Sequence, residues 1–142
     1  MYGTDKGELT PDSNPYPWPS HNYTDFYDLI FSPRRYSIGS LLECGIGTSN
    51  NEFQNNMGKK ANPGASLRVW REYFPNAEVT GIDIDPEVMF AEDRINTYCV
   101  DQTSEESIKD FLDKYNGDFD IIIDDGLHEY QANVSLFENT IG

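Results

Sequence analysis

Leu41-Leu-Glu-Cys-Gly-Ile-Gly-Thr48 and Gly81-Ile-Asp-Ile-Asp-Pro86 decide the fold of this chain. Each is a short apolar run ending in a glycine-rich or acidic turn. A parallel α/β sheet presents a nucleoside-containing ligand in this way, at the carboxyl ends of its strands. Gly45 and Gly47 carry no side chain where backbone must come close to a ligand. Asp83 ends the next strand, where a carboxylate can accept both hydroxyls of a ribose. Together the two segments imply an adenosine-containing ligand.

Working outward, residues 8–20 hold four prolines and few aliphatics, an irregular arm. Tyr23, Phe26, Tyr27 and Ile30 recur at helical spacing, and Pro33 ends that helix. Ser40 to Cys44 is a short buried strand. Asn50 to Gly64, rich in Asn, Gly and Lys, reads as a loop. A helix follows from Ser66, with Leu67, Trp70 and Phe74 on one face and Pro75 as its stop. Val79–Ile84 and Thr97–Val100 are the second and third strands. Thr103 and Glu106 form a capping box for a helix whose apolar face is Ile108, Phe111, Leu112 and Tyr115, ended by Gly117. Phe119–Asp124, the most hydrophobic strand, is expected to be central and covered on both faces. Tyr130, Val134, Phe137 and Ile141 share a last helical face. Strands alternating with helices predict a parallel sheet with right-handed crossovers. The 142 residues form a single domain, residues 1–35 being an arm and helix and residues 36–142 the α/β core.

Apolar content of 37% and aromatic content of 13% support a packed core. The formal charge of −15 repels phosphodiester backbones, and no basic cluster rises against it, so nucleic acid is excluded as a partner. The same charge suits divalent cations, although a solvated acidic surface is its commoner meaning. Cys44 and Cys99 both sit in apolar runs and read as small buried hydrophobes in a reducing compartment. No run reaches transmembrane length, and the polar start Met1-Tyr-Gly-Thr-Asp-Lys6 is no signal peptide, so a cytoplasmic protein with no membrane partner is expected.

The glycine turn differs from the dinucleotide fingerprint. There a third glycine packs a helix beneath the pyrophosphate. Here that position is Asn50, and a long loop delays the next helix. An oxidoreductase or epimerase using a dinucleotide is thereby disfavoured, while a tight turn with no ligand stays open as the plain structural alternative. Asp83 could equally be an ordinary strand-end acid, and Asp85-Pro86 could open a helix. Asp101-Gln102 closes the third strand, where a carboxylate can accept the exocyclic amine of adenine. Glu43, Asp83 and Asp101 are three acidic strand ends in sequence order, which strengthens the ligand reading. Beyond the fourth strand, Asp124-Asp125-Gly-Leu-His128 combines a hard-cation ligand with a general base. Its alternative is a turn whose acids cap the following helix. His21-Asn-Tyr-Thr-Asp-Phe-Tyr27 is weaker, its tyrosines fitting a helix face, and Gly3-Thr-Asp-Lys-Gly7 could be a flexible terminus.

In order along the chain, Gly3–Gly7, His21-x-Tyr23-x-x-x-Tyr27, Leu42-Glu-x-Gly-x-Gly-Thr48 and Asn55-Asn-Met-Gly58 form a joint pattern. It continues through Pro63–Trp70, Tyr73–Ala77, Gly81-x-Asp-Ile-Asp85, Asp101-Gln102 and Ile122–His128. This set resembles the class I S-adenosylmethionine-dependent methyltransferases, and within them the macrolide-sugar O-methyltransferases. The resemblance implies a Rossmann-like parallel sheet, here truncated after the fourth strand. It implies that Glu43, Gly45 and Gly47 face the methionine part of S-adenosylmethionine, that Asp83 holds the ribose, and that Asp101 and Gln102 flank the adenine. Asp125 would be a magnesium ligand and His128 the base that deprotonates an acceptor hydroxyl, in a sugar or another small molecule of natural product biosynthesis.

Two departures stand out. Leu127 replaces a small residue beside the base. The later Glu-Asp strand that completes the metal site in relatives does not follow, so metal binding is expected to be weak or lost. The open edge of the Phe119–Asp124 strand invites pairing with another molecule. A fragment of a longer protein is the favoured explanation, and a homo-oligomer formed through that edge is the alternative. The competing function is a binding module that holds S-adenosylmethionine without transferring its methyl group.

Overall fold

The computed structural model describes residues 4, 6, 7, 19, 21–53, 56–58 and 62–141. The arm expected over residues 8–20 falls outside the described residues except for Pro19, as do Gly3, Asp5 and Asn55 of the quoted motifs.

Five strands form one sheet: β1 (Ser40–Cys44), β2 (Glu78–Asp83), β3 (Ala91–Glu92), β4 (Ile95–Cys99) and β5 (Ile121–Asp124). Their order is β3-β4-β2-β1-β5. Pairing is parallel throughout, except that β3 runs antiparallel to β4. Glu43 lies opposite Gly81 on one side and Ile123 on the other. Apolar periodicity in the sequence predicts four strands. β3 escaped it because two residues are too few to leave an apolar period, and its tight turn is marked only by Arg94 at φ 54°.

Among the described residues β5 lies at the edge of the sheet, so its far side is open as expected, and it is not the central strand that its hydrophobicity predicts. Its apolar run has another cause: Ile121 and Ile123 join the core on one face of the sheet, while Ile122 packs on the other. A continuous apolar strand reports two covered faces and says nothing about lateral neighbours.

The two core layers follow the pleat. Leu41 points into a layer with Leu67, Trp70, Phe74 and Val79, whereas Leu42 points into one with Ile82, Ile108, Phe111 and Leu136. Helix α2 (Ala65–Tyr73) supplies Leu67 and Trp70 to the first layer. It ends where Pro75 forces Phe74 into extended backbone. Arg94 secures that end by donating to the Arg71, Phe74 and Ala77 carbonyls at 2.7–3.1 Å. Helices α3 (Glu105–Tyr115) and α4 (Tyr130–Thr140) cover the other face.

Helix ends and faces needed correction. Ser104, not Thr103, caps α3 by accepting from the Ser107 amide at 3.2 Å, because Thr103 turns its hydroxyl to Asp101. Asn116 in the left-handed region closes α3 one residue before Gly117. In α4 the buried side chains are Ala132 and Leu136, while Tyr130 and Phe137 are 78% and 62% exposed. In α1 (Tyr23–Phe31) no residue is fully buried. Tyr27 stands edge-on to Trp70 at 5.1 Å and Phe31 edge-on to Phe74 at 5.6 Å, leaving Tyr23, Phe26 and Ile30 exposed. Cys44 is buried as expected, but Cys99 is exposed at the end of β4, and both thiols are free.

Asp120 stitches β5 to β1. Its carboxylate accepts from the Gly39 and Ser40 amides at 2.7 and 3.0 Å, and these donors hold its carboxyl below the ordinary aspartate range. Such a group stabilises the fold above its unfolded value, about pH 3.9, and loses that contribution as pH falls through the lowered value. The stability gap between wild type and Asp120→Asn is therefore expected to close steadily below about pH 4. Thermal melts across pH check this; a gap that stays constant in acid would refute it.

Candidate functional site

The chain runs outward from β1 through β2 to β4, then returns to the opposite side of β1 as β5. Loops leaving the ends of β1 and β5 part at that reversal, the usual place for a ligand in an open α/β sheet. The ladders extend just past the strands: the Gly45 amide donates to Ile82 at 2.8 Å and the Asp125 amide to Cys44 at 2.9 Å. That brings the glycine turn against the loop after β5. A Cβ on Gly45 would lie 2.3 Å from the Asp125 carbonyl oxygen, and Gly45 has φ 83°. Glycine is required there by close backbone approach.

A cavity of about 910 Å³ opens at these strand ends. Its size suits a nucleoside-sized ligand. Gly45, Gly47, Asp83, Asp101, Gln102, Asp125 and His128 all line it, so the separate candidates of the sequence share one space.

Asp83, at the end of β2, accepts from the Ile46 amide at 3.0 Å and from the Asp85 amide at 3.1 Å. Burial pushes its carboxyl upward against those donors. Its first task is thus to hold the glycine turn. Gln102 is similarly employed: its amide oxygen accepts from Leu127 at 2.6 Å, tying the end of β4 to the loop that carries His128. Gly126 has no room for a side chain there, since a Cβ would sit 2.0 Å from that oxygen. Asp101 accepts from the Thr103 amide at 2.8 Å and keeps a half-buried place in the wall. His128 is exposed at the cavity lining.

Glu43 behaves differently. It is fully buried behind the cavity and is absent from its lining. Trp70 donates its indole N–H to Glu43 Oε2 at 3.0 Å, and the Lys6 ammonium faces Oε1 at 3.2 Å. Burial raises the Glu43 carboxyl while the Lys6 charge opposes the rise. Lys6 also contacts Asp125 Oδ2.

Two participants were missed from sequence. Lys6 lies in the Gly3–Gly7 motif, its only signal in the sequence, in a segment that also fits a flexible terminus. Asp85, read as a helix opener, does cap the short turn Pro86–Val88 through the Glu87 amide at 3.0 Å. It also accepts from the Thr48 hydroxyl, fixing the long loop to β2.

The resemblance implies that Asp125 is a magnesium ligand whose partners lie outside these residues. Among the described residues no group of three His, Cys, Asp or Glu side chains converges to hold a metal ion. The Asp125 carboxylate is engaged by Lys6.

Comparison with known proteins gives a consistent answer. No protein-family model matches the chain. It is 35% identical over 120 residues to the 8-demethyl-8-alpha-L-rhamnosyl tetracenomycin-C 2'-O-methyltransferase of Streptomyces olivaceus, covering 84% of this chain and 29% of that protein. It is 33% identical over 130 residues to the mycinamicin VI 2''-O-methyltransferase of Micromonospora griseorubida, covering 89% of this chain and 30% of the relative. Among solved structures it resembles the MycE methyltransferase from the mycinamycin biosynthetic pathway, in complex with Mg, SAH and mycinamycin VI. That match has a TM-score of 0.69 at 32% identity and covers 84% of this chain and 30% of the other. The chain thus spans less than a third of the length of these relatives. With its Rossmann-like sheet and the glycine turn at the strand ends, this chain has the fold of the class I S-adenosylmethionine-dependent methyltransferases and is similar to part of the macrolide-sugar O-methyltransferases among them.

Proposed function

We propose that this chain is the cofactor-binding part of an S-adenosylmethionine-dependent O-methyltransferase acting on a hydroxyl of a sugar or similar small molecule. The observation carrying the reading is the convergence of Gly45, Gly47, Asp83, Asp101, Gln102 and His128 on one cavity of about 910 Å³. The turn at Gly45 and Gly47 would border the methionine part. Asp83 would meet the ribose hydroxyls, and Asp101 with Gln102 the adenine. Glu43 would support the site from beneath.

When bound, S-adenosylmethionine supplies a methyl group on a sulfonium sulfur that leaves as a neutral thioether. His128 would take the proton of the acceptor hydroxyl as its oxygen attacks, a role suited to an imidazole at the cavity lining. Alignment of the hydroxyl by the cavity walls supplies the rest of the catalytic demand. The related MycE structure contains Mg; in this chain Asp125 would give one carboxylate to such an ion, and the remaining ligands would come from elsewhere in a longer protein. The engagement of Asp125 by Lys6 favours a second reading for the chain alone, a module that binds the cofactor without transfer. A cytoplasmic setting is part of the proposal; no helix among the described residues is long and apolar enough to cross a membrane.

Calorimetric titration with S-adenosylhomocysteine, then with NAD, tests the reading. The sulfur nucleoside is expected to bind and NAD to give no response. Asp83→Asn keeps an acceptor for the turn but loses the charge, so affinity for the sulfur nucleoside should drop about tenfold or more. Tight NAD binding without a response to S-adenosylhomocysteine would sink the proposal.

A further inference from the structure

Gln102, in the turn after β4, is buried and yet keeps a place in the lining of the main cavity. A buried primary amide is costly unless both of its ends find partners. Gln102 finds them at the end of β1 and in the segment that follows β5. Its Oε1 accepts from the Leu127 amide at 2.6 Å and from the Cys44 thiol at 3.4 Å, while Nε2 donates to Asp124 Oδ1 at 3.4 Å. These neighbours fix which way the amide faces. A backbone N–H and a thiol hydrogen require an acceptor, and a carboxylate requires a donor.

The amide thus spans the turn from Asp124 to Leu127, holding a side chain at its start and the backbone at its end. Asp124 Oδ1 also accepts from the Gly126 amide at 3.3 Å, within the same turn. Leu127 immediately precedes His128, so the bond from Gln102 lies one residue from the imidazole at the cavity lining. One side chain therefore borders the ligand space and grips the loop that carries the general base. A ligand seated against that side chain restricts its rotamers. The entropy removed in this way no longer opposes the bond to Leu127.

We propose that Gln102 is a positioning residue that couples occupancy of the adenine end of the cavity to the order of the loop carrying His128. The loop is firmer when that end is filled, and by reciprocity a firm loop raises affinity for the cofactor by the same factor. The coupling rests on the methyltransferase reading, whereas the hold of Gln102 on the loop does not.

The test follows amide exchange at Leu127 and His128 in the purified chain, with and without S-adenosylhomocysteine. Gln102→Met keeps the length of the side chain and removes both of its polar ends, so these amides should exchange about tenfold faster without ligand. Gln102→Glu should do the same, because two carboxylates then face each other at Asp124. Adding Asp124→Asn to Gln102→Glu swaps donor and acceptor across the pair, and exchange should return to within about threefold of wild type. A role in packing alone would give no such rescue. S-adenosylhomocysteine should slow exchange in wild type about fivefold or more and leave the rates in Gln102→Met unchanged. If Gln102→Met does not fold, Gln102→Glu with and without Asp124→Asn still decides. Unchanged exchange in Gln102→Met, absence of the rescue, or equal protection by ligand in wild type and Gln102→Met would overturn the proposal. Calorimetric titration of wild type with S-adenosylhomocysteine separates the two failures: no binding ends the cofactor reading, while the ligand-free comparison still judges the hold on the loop.

Discussion

Gly45→Ala is expected to destabilise the domain by about 3 kcal/mol and to eliminate measurable binding of the sulfur nucleoside. The estimate has two parts. At φ 83° an alanine carries the left-handed penalty of about 1–2 kcal/mol. Its Cβ would also meet the Asp125 carbonyl oxygen at 2.3 Å, and the Asp125 carbonyl carbon and Gly126 Cα at 2.6 Å. All three are backbone atoms, so no rotamer change relieves the clash. The loop after β5 must retreat from β1, weakening the Asp125–Cys44 hydrogen bond and reshaping the cavity where the two loops meet. Overpacking of this kind costs about 1–3 kcal/mol. Against a typical domain stability of about 5–15 kcal/mol the change is large. Gly58→Ala is the control: φ is 77°, but nothing lies within 4 Å of its Cβ, so only the conformational penalty applies. Denaturant unfolding of both variants decides it. Equal losses would show that the approach of β1 to the β5 loop is not what demands glycine.

His128→Ala is expected to lower methyl transfer by the active protein about a hundred- to ten-thousand-fold, the usual contribution of a positioned general base. S-adenosylhomocysteine affinity should stay within about twofold, because the imidazole borders the cavity and the turns proposed to hold the nucleoside are anchored elsewhere. Those anchors are Asp83 on the Ile46 amide and Gln102 on the Leu127 amide. Single-turnover assays combined with calorimetry separate the two quantities. A parallel loss of affinity would make His128 a cofactor contact, and unchanged turnover would remove it from the chemistry.

These variants bear on residues whose roles were legible to different degrees. The glycine turn and Asp83 announced themselves because strand, turn and acid are contiguous in the chain, and local order carries their meaning. Helix α2 was equally plain, since Leu67, Trp70 and Phe74 repeat at its period and all reach the core. The apolar stripes of α1 and α4 misled. Periodicity shows which residues share a face, but whether that face meets anything depends on what lies opposite, and Tyr130 and Phe137 meet little. For Lys6 the Gly3–Gly7 motif is the one signal in the sequence; its burial beside Glu43 is not legible there, because its partners are remote along the chain.

The sequence by itself determined the alternation of strands and helices, the glycine turn and the acidic strand ends. Each follows from short-range order, in apolar periodicity or in the conformational freedom of glycine. Only the tertiary structure decided that Asp83 and Gln102 first brace the loops they adjoin, and that Glu43 withdraws beneath the cavity to pair with Lys6. Those outcomes depend on burial and on charges brought together across the fold: a carboxylate that cannot stay unpaired in the interior is matched by an ammonium from a distant segment.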